Sequence, residues 1–143
     1  MWHYVLDEHY LKRNPHFAAP TNKHSISIQP GPAAVFPASR TMMRYNYANL
    51  TNQFTSACSP IIYRDELLFA GESSQRSAVS GQEENTSQAL VCEPVHNLIH
   101  REIVRPSGST FTSQRASDEQ NSEFLASSDN WFRPVMVQTG PDG

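Results

Sequence analysis

Three side chains that can bind metal recur at intervals of four residues: Cys92, His96 and His100. Two histidines four positions apart lie on one side of a helix, which is the spacing of two zinc ligands in some metalloenzymes. A structural zinc site requires four ligands. The other candidates are all distant in sequence: His3, His9, His24 and Cys58. We therefore expect no metal here and keep a zinc site at these three residues only as an alternative.

The segment around these residues predicts a helix over 94–105. Pro94 suits the first helical turn, where its missing N–H group is not needed, and Pro106 ends the helix. An apolar stripe runs along one side of this helix at spacings of three and four: Val95, Leu98, Ile99 and Ile103. Because the helix begins at Pro94, Cys92 is expected to lie in the segment before the helix and not on the helix face. The segment is thus interpreted first as an amphipathic helix.

Motifs for catalysis are missing from the sequence. It contains no nucleophile elbow, phosphate-binding glycine loop, zincin motif or kinase motif. Asp7, Glu8 and His9 form a cluster that is typical of a solvated helix face, and nothing in the sequence positions a histidine against Cys58. A catalytic site must be held to within about 0.5 Å by packed neighbours, and this chain has little apolar material for that purpose. We expect a non-enzymatic protein with no catalytic residues and no cofactor.

The composition of the 143 residues is that of one weakly charged domain. Charged residues make up 17%, against about 25% in an average protein. Only Lys12 and Lys23 are lysines, and the arginines are scattered. With a pI near 6.0, this pattern argues against nucleic acid as the main partner. Because neither a signal-peptide pattern nor a membrane-spanning apolar run occurs, we expect an intracellular protein without a membrane partner.

Apolar clusters alternate with polar or proline-rich spans along the chain. The clusters are 1–17, 41–70, 89–105 and 131–137. The spans are the proline-rich stretch 15–40 and the low-complexity stretches 71–88 and 106–130. Short helices are predicted over about 2–13, over 94–105 and within part of 41–70, with at most short edge strands between prolines. The expectation for 1–143 is a single, mostly irregular and extended chain with no independent globular core.

A chain of this kind suits docking onto other proteins, with its clusters in their pockets and its spans between them. We expect a structural cement or tether protein that is disordered when free and becomes ordered on the subunits of a large assembly. The composition favours a minor capsid protein of a virion. A filament-lining cytoskeletal or axonemal protein and an accessory subunit of a large complex are alternatives. A further alternative is a small folded binding module, with or without zinc, that has a mixed α/β core over 41–105.

The bulky residues of the clusters are the predicted partner-docking residues. They are Trp2, Tyr4, Leu6, Tyr45, Tyr47, Phe54, Ile61, Ile62, Leu68, Phe69, Val95, Leu98, Ile99, Ile103, Trp131, Phe132, Val135 and Val137. Residues 131–137 form the most isolated cluster, since a long polar span precedes them. We expect this cluster to be an anchor for a partner. The alternative is that it folds back on the 41–70 cluster of its own chain.

Overall fold

The computed structural model describes residues 2–4, 16, 23–26, 34–40, 52–65, 67–69 and 86–141. These residues form two antiparallel sheets. The smaller sheet pairs β1 (Trp2–Tyr4) with β2 (Lys23–Ser25). The larger sheet contains β3 (Cys58–Tyr63), β4 (Ser87–Glu93), β5 (Leu98–Ser107), β6 (Thr110–Arg115) and β7 (Leu125–Ala126). A short 3-10 helix, Ser117–Glu119, follows β6.

Strand β5 is the centre of the larger sheet. The strand order is β3-β4-β5-β6, and β7 also pairs with β5. One edge of β5 pairs with β4, whereas the other edge is shared by β7 at Leu98 and Ile99 and by β6 from Glu102 onwards. In this register His100 and Arg101 lie opposite neither β6 nor β7. The segment 116–124, which connects β6 to β7, supplies their partners on that side.

Two tight turns connect the central strands. Between Glu93 and Leu98, four residues reverse the chain, and the last of them, Asn97, has a left-handed backbone with a φ of 59°. The β5–β6 turn has only two residues between the paired Ser107 and Thr110. Its first residue is Gly108 with a φ of 60°, the position at which a type II′ hairpin turn takes glycine.

Both faces of the sheet are covered. Because side chains alternate along a strand and opposed residues share a face, Leu90, Cys92 and Ile99 lie on one side, which we call the cysteine face. These three are buried, and several half-buried residues pack against them: Cys58, Ile61, Phe69, Phe124 and Val137. Arg101 extends from the same face, with its guanidinium carbon 4.9 Å from the centre of the Phe69 ring.

The opposite side, which we call the histidine face, carries Glu93, His100 and Glu102. Here the covering residues come from the N-terminal half of the chain. The Phe54 ring packs edge-on against His100 with centroids 5.1 Å apart. The backbone N–H of Ser113 donates to the carbonyl of Ile26, which is itself buried. The N-terminal half therefore closes the core over this face.

The structure corrects the predicted fold class. Residues predicted as a helix over 94–105 form a turn followed by β5, and every residue from Leu98 to Val104 is buried. Burial on both faces removes the alternation of apolar and polar residues that identifies a strand, and the spacing of Leu98, Ile99 and Ile103 then imitates a helical stripe.

The other parts of that prediction are also wrong. Residues 2–4 of the predicted helix 2–13 form β1, and 5–13 lie outside the described residues. Within 52–65 and 67–69, the described part of the 41–70 cluster, the structure has β3 and no helix. The strands are not confined to edges, and a buried core replaces the expected extended chain. None of the described residues forms a helix that is long and apolar enough to cross a membrane.

Candidate functional site

Buried ion pairs lie on the edge of β5 where it pairs with neither β6 nor β7. Nδ1 of His100 is 2.7 Å from Oε2 of Glu123, and its Nε2 is 3.5 Å from Oε1 of Glu102. The side chains of His100 and Glu123 are 2% and 0% exposed. An imidazole held between two carboxylates is stabilised in its protonated form.

The pKa shifts of this group follow from its contacts. Burial alone lowers the pKa of His100, but the hydrogen bonds to Glu102 and Glu123 and the negative charge of Glu123 outweigh burial and raise it. For Glu123 burial raises the pKa, while the contacts with His100 and Arg115 outweigh it and hold the pKa below its usual range. For Glu102 burial likewise raises the pKa, but the hydrogen bonds from His100 and Ser113 outweigh it, so the pKa of Glu102 is lowered. Both carboxylates and the imidazole therefore favour their charged forms.

Arg101, the neighbour of His100, extends to the other face and is also paired. Its Nη2 lies 2.6 Å from an oxygen of Asp118, and its Nε lies 2.9 Å from Oε1 of Glu119. The Arg101 side chain is 2% exposed, whereas that of Asp118 is 61% exposed. Burial raises the pKa of Glu119 despite the nearby Arg101 charge. The 3-10 helix is thus tied to the centre of β5.

Arg115, at the end of β6, links the segment 116–124 to the N-terminal half. It pairs with Glu123 at 3.1 Å and donates to the carbonyls of Ala34 at 2.6 Å and Ser122 at 2.7 Å. Its guanidinium also stacks 4.9 Å from the centre of the Phe36 ring. One arginine therefore joins the end of β6 and the segment that follows it to residues about 80 positions earlier in the chain.

Glu93, at the end of β4, is fully buried by the segment before β3. Its Oε2 accepts hydrogen bonds from the backbone N–H groups of Thr55 and Ser56 at 3.1 and 2.9 Å. Its Oε1 accepts the hydroxyl of Ser56 at 2.8 Å and lies 3.5 Å from Nδ1 of His96. Burial alone raises the pKa of Glu93. The hydrogen bonds from His96, Ser56 and Thr55 outweigh this effect, so the pKa of Glu93 is lowered.

These buried groups organise the fold and do not face solvent. His96, His100 and Arg101 are each at most 2% exposed, so a substrate would have to open the sheet to reach them. Their partners come from segments that the ion pairs hold in place. The cluster is consequently a structural element, and the accessible candidate site lies elsewhere.

Residues 127–137, which we call the C-terminal strap, form the accessible candidate. The buried Asn97 of the β4–β5 turn holds its first half. The side-chain amide of Asn97 donates to the carbonyls of Asp129, at 3.2 Å, and of Phe132, while its carbonyl oxygen accepts the hydroxyl of Ser39. The Asn97 backbone carbonyl also accepts the N–H of Ser127.

Further contacts fix the rest of the strap. The carboxylate of Asp129 accepts the backbone N–H of Trp131 at 2.9 Å, a side-chain turn that asparagine and aspartate favour. Nη1 of Arg133 donates to the carbonyl of Pro94 at 2.7 Å. Sγ of Cys58 lies 3.6 Å from the carbonyl oxygen of Val135. Val137 then packs on the cysteine face.

These hydrogen bonds fix the backbone of the strap, yet several of its apolar side chains are exposed to solvent. Trp131 is 90% exposed, Val135 64% and Met136 62%. Leu67, in the turn after β3, is 67% exposed. An exposed tryptophan on a fixed backbone is a feature of protein-binding surfaces.

The predicted docking residues fall into different environments. Leu98, Ile99 and Ile103 are buried within their own sheet. Half-buried positions are held by Phe54, Ile61, Phe69, Val95, Phe132 and Val137. Exposed positions are held by Ile62, Leu68, Trp131 and Val135. Leu6, Tyr45 and Tyr47 lie outside the described residues, and Trp2 and Tyr4 are described only as strand backbone.

The three residues considered for zinc are not brought together. Cys92 lies on the cysteine face, His100 on the histidine face, and His96 in the turn beside Glu93. In the part of the chain that the structure describes, no three histidine, cysteine or acidic side chains are grouped to hold a metal ion.

Sequence reasoning missed Asn97, Arg115 and Glu123. The pair Asn97–Leu98 carried one local signal, since asparagine tolerates the left-handed backbone that ends a tight turn. Arg115 and Glu123 carried no such signal, because their partners are set by tertiary structure. The paired positions Arg115 and Glu123 lie eight residues apart across an irregular segment.

Comparison with known proteins identifies a family for the whole chain. The family described as a domain of unknown function (DUF7133) matches residues 1–143, and the chain belongs to this family. No curated protein and no solved structure matches it.

Proposed function

We propose that this member of the DUF7133 family is a non-enzymatic, folded protein-binding module that docks onto a protein subunit of a large assembly through its C-terminal strap. The observation that carries the proposal is Trp131, whose side chain is 90% exposed on a backbone held by Asn97 and Asp129. The folded sheet overturns the disordered tether expected from composition, and the fixed backbone of the strap supports binding through a preformed surface.

The energetic argument rests on preorganisation. Fixing the backbone of a flexible segment costs about 1–2 kcal/mol for each residue, and a strap whose backbone is already fixed avoids that cost on binding. A tryptophan inserted into a partner pocket is a frequent hot spot, worth about 2 kcal/mol or more on truncation. Val135 and Met136, both largely exposed, would extend the apolar contact beside it.

Composition is the support for the kind of assembly that we propose. Low charge, arginine in preference to lysine, and abundant asparagine, serine, threonine and proline suit close packing between protein subunits, and we favour an intracellular assembly such as a virion capsid. A filament-lining protein and an accessory subunit of a large complex are the alternative settings. Nucleic acid is not proposed as the main partner, since the pI is near 6.0, and no membrane partner is proposed.

The first experiment identifies the contacting subunit. A photoreactive amino acid is introduced at position 130, the exposed neighbour of Trp131, so that the tryptophan is kept. The protein is then incorporated into the assembly of its native source, and crosslinked subunits are mapped by mass spectrometry. The dissociation constant for the mapped subunit is then measured. We expect Trp131→Ala to weaken binding by roughly 30-fold or more, the equivalent of about 2 kcal/mol.

Phe111→Ala is the matched control, because Phe111 is an aromatic residue of β6 that is 38% exposed and distant from the strap in sequence. It should leave the dissociation constant nearly unchanged. Trp131→Ala should leave the melting temperature unchanged, since its side chain is almost fully exposed. If Trp131→Ala binds like the wild type, the strap is not the docking surface and the proposal is wrong.

A further inference from the structure

The two cysteines of the chain occupy directly opposed positions on neighbouring strands. Cys58 of β3 is the register partner of Cys92 of β4. Opposed residues of an antiparallel pair have Cα atoms about 4.5–5.5 Å apart. A disulfide typically requires a Cα separation of about 4.4–6.8 Å, so the strand pairing itself supplies a suitable spacing.

The side chains also share one environment. Opposed residues point to the same face, and Cys58 packs against the buried cluster of Leu90, Cys92 and Ile99. The register shifts between Cys58 and Ile61, directly after the first cysteine, and Ser59 there has a left-handed φ of 47°. Such a bulge locally breaks the ladder and re-aims side chains, which leaves the start of β3 less constrained by pairing than its end.

Accessibility differs between the two thiols. Cys92 is 0% exposed, whereas Cys58 is half-buried and its sulfur lies beside the strap at the Val135 carbonyl. Burial, together with the adjacent Cys58, raises the pKa of Cys92. An oxidant in solution therefore meets Cys58 first, and Cys92 is placed to react second.

We propose that Cys58 and Cys92 are a modification site, at which a low-molecular-weight disulfide such as oxidised glutathione introduces a reversible cross-strand disulfide. The Cys58 thiolate attacks one sulfur of oxidised glutathione and releases one glutathione thiolate, leaving a mixed disulfide. The Cys92 thiolate then attacks the Cys58 sulfur and releases the second. The two cysteines lose two electrons and two protons, and oxidised glutathione is reduced to two thiols.

The modification changes the contact between the sheet and the strap. In the reduced protein the Cys58 thiol donates to the carbonyl of Val135. The disulfide has no S–H group, so this donor is lost while the Arg133 and Asn97 contacts of the strap remain. The oxidised form therefore holds the strap end near Val135 by one contact fewer. The disulfide itself does not depend on the proposed binding function.

The test uses the folded wild-type protein. It is incubated with oxidised glutathione, free thiols are blocked by alkylation, and a non-reducing digest is analysed by mass spectrometry. We expect a peptide pair linked between Cys58 and Cys92, loss of both free thiols, and full reversal by dithiothreitol. Closing the loop from 58 to 92 should raise the melting temperature by about 4–16 °C.

Two variants separate the steps. Cys92→Ser should stop at a stable glutathione adduct on Cys58, and Cys58→Ser should remain unmodified because Cys92 is buried. The proposal is overturned if the folded wild type accumulates a glutathione adduct on Cys58 without closing the disulfide. It is also overturned if the disulfide forms only in denaturant, or only between two molecules. Because these readouts are made on the wild-type protein, they remain decisive even where a variant fails to fold.

Discussion

At the scale of single residues, the centre of β5 depends on two adjacent charged side chains. His100 and Arg101 extend to opposite faces, and each is paired with a carboxylate of the segment 116–124. Ionised side chains this deeply buried are stable only when paired. The pairs therefore fix where the segment 116–124 lies along β5, in place of the strand hydrogen bonds that β6 and β7 do not provide there.

We expect removal of Arg101 to be strongly destabilising. Arg101→Ala leaves the buried Glu119 without its cation and opens a gap beside Phe69, and breaking a buried pair in this way costs about 3–5 kcal/mol. Urea unfolding measures the effect. Arg64→Ala is the matched control, because Arg64 is exposed and its loss should cost less than about 0.5 kcal/mol. Equal effects of the two variants would contradict this role for Arg101.

We also expect stability to decline as the pH rises above 6.5, the ordinary pKa of histidine. The pKa of His100 is raised in the folded protein by Glu102 and Glu123 against the effects of burial and Arg115. A raised histidine pKa contributes stability that is fully present below the unfolded pKa and is lost as the pH rises through the folded pKa. Denaturant melts between pH 6 and 9 should show this decline.

His100→Gln should remove that decline, because glutamine does not titrate. The matched control is His24→Gln in β2, which keeps His100 and should keep the wild-type pH dependence. If the stability of the His100→Gln variant falls with rising pH as steeply as that of the wild type, another group is responsible.

At the scale of elements, the tight turns between strands determine how the strands of the larger sheet pair. The β5–β6 hairpin depends on Gly108, whose φ of 60° suits glycine. A Cβ atom at this position would meet nothing within 4 Å, so a substitution there reports the backbone conformation alone.

Gly108→Ala should destabilise the protein by about 1–3 kcal/mol through backbone strain. Gly140→Ala provides the control, since Gly140 also has open space around it and is not among the residues with a positive φ. Chemical denaturation of both variants gives the comparison. If Gly140→Ala lowered the free energy of unfolding as much as Gly108→Ala, the backbone geometry of the β5–β6 turn would not be the cause of the destabilisation.

At the scale of the whole molecule, the larger sheet and the segments that cover its two faces are connected by buried polar contacts. Strands β3 to β6 are consecutive neighbours, and the segments that cover them are joined to the sheet by Glu93, Arg101 and Arg115. This arrangement differs from the composition-based expectation of a chain that is disordered when free.

We expect the isolated protein to unfold in a single transition. Far-UV circular dichroism, which reports the strands, and near-UV circular dichroism, which reports aromatic packing, should give coincident melting curves. A gradual loss of signal, or separate midpoints for the two probes, would mean that the covering segments unfold independently of the sheet.

Part of this structure follows from local sequence. Gly108 between Ser107 and Ser109 is a turn signal of the hairpin kind, and Pro106 and Pro134 exclude the interior of a helix at their positions. These features depend on the conformational limits of single residues, which the sequence by itself determines. The exposure of Trp131 is not of this kind, because Phe132 and Val137 belong to the same isolated cluster and are half-buried.

Only the tertiary structure decided that residues 98–107 are the central strand. The sequence L-I-H-R-E-I-V contains three consecutive charged or titratable residues, a composition that argues against a strand buried on both faces. Burial is tolerated because Glu123 and Glu119 neutralise His100 and Arg101. Those partners lie 23 and 18 residues further along the chain. No pattern within the strand reveals them, because a favourable environment for a buried charge is created by the folded chain.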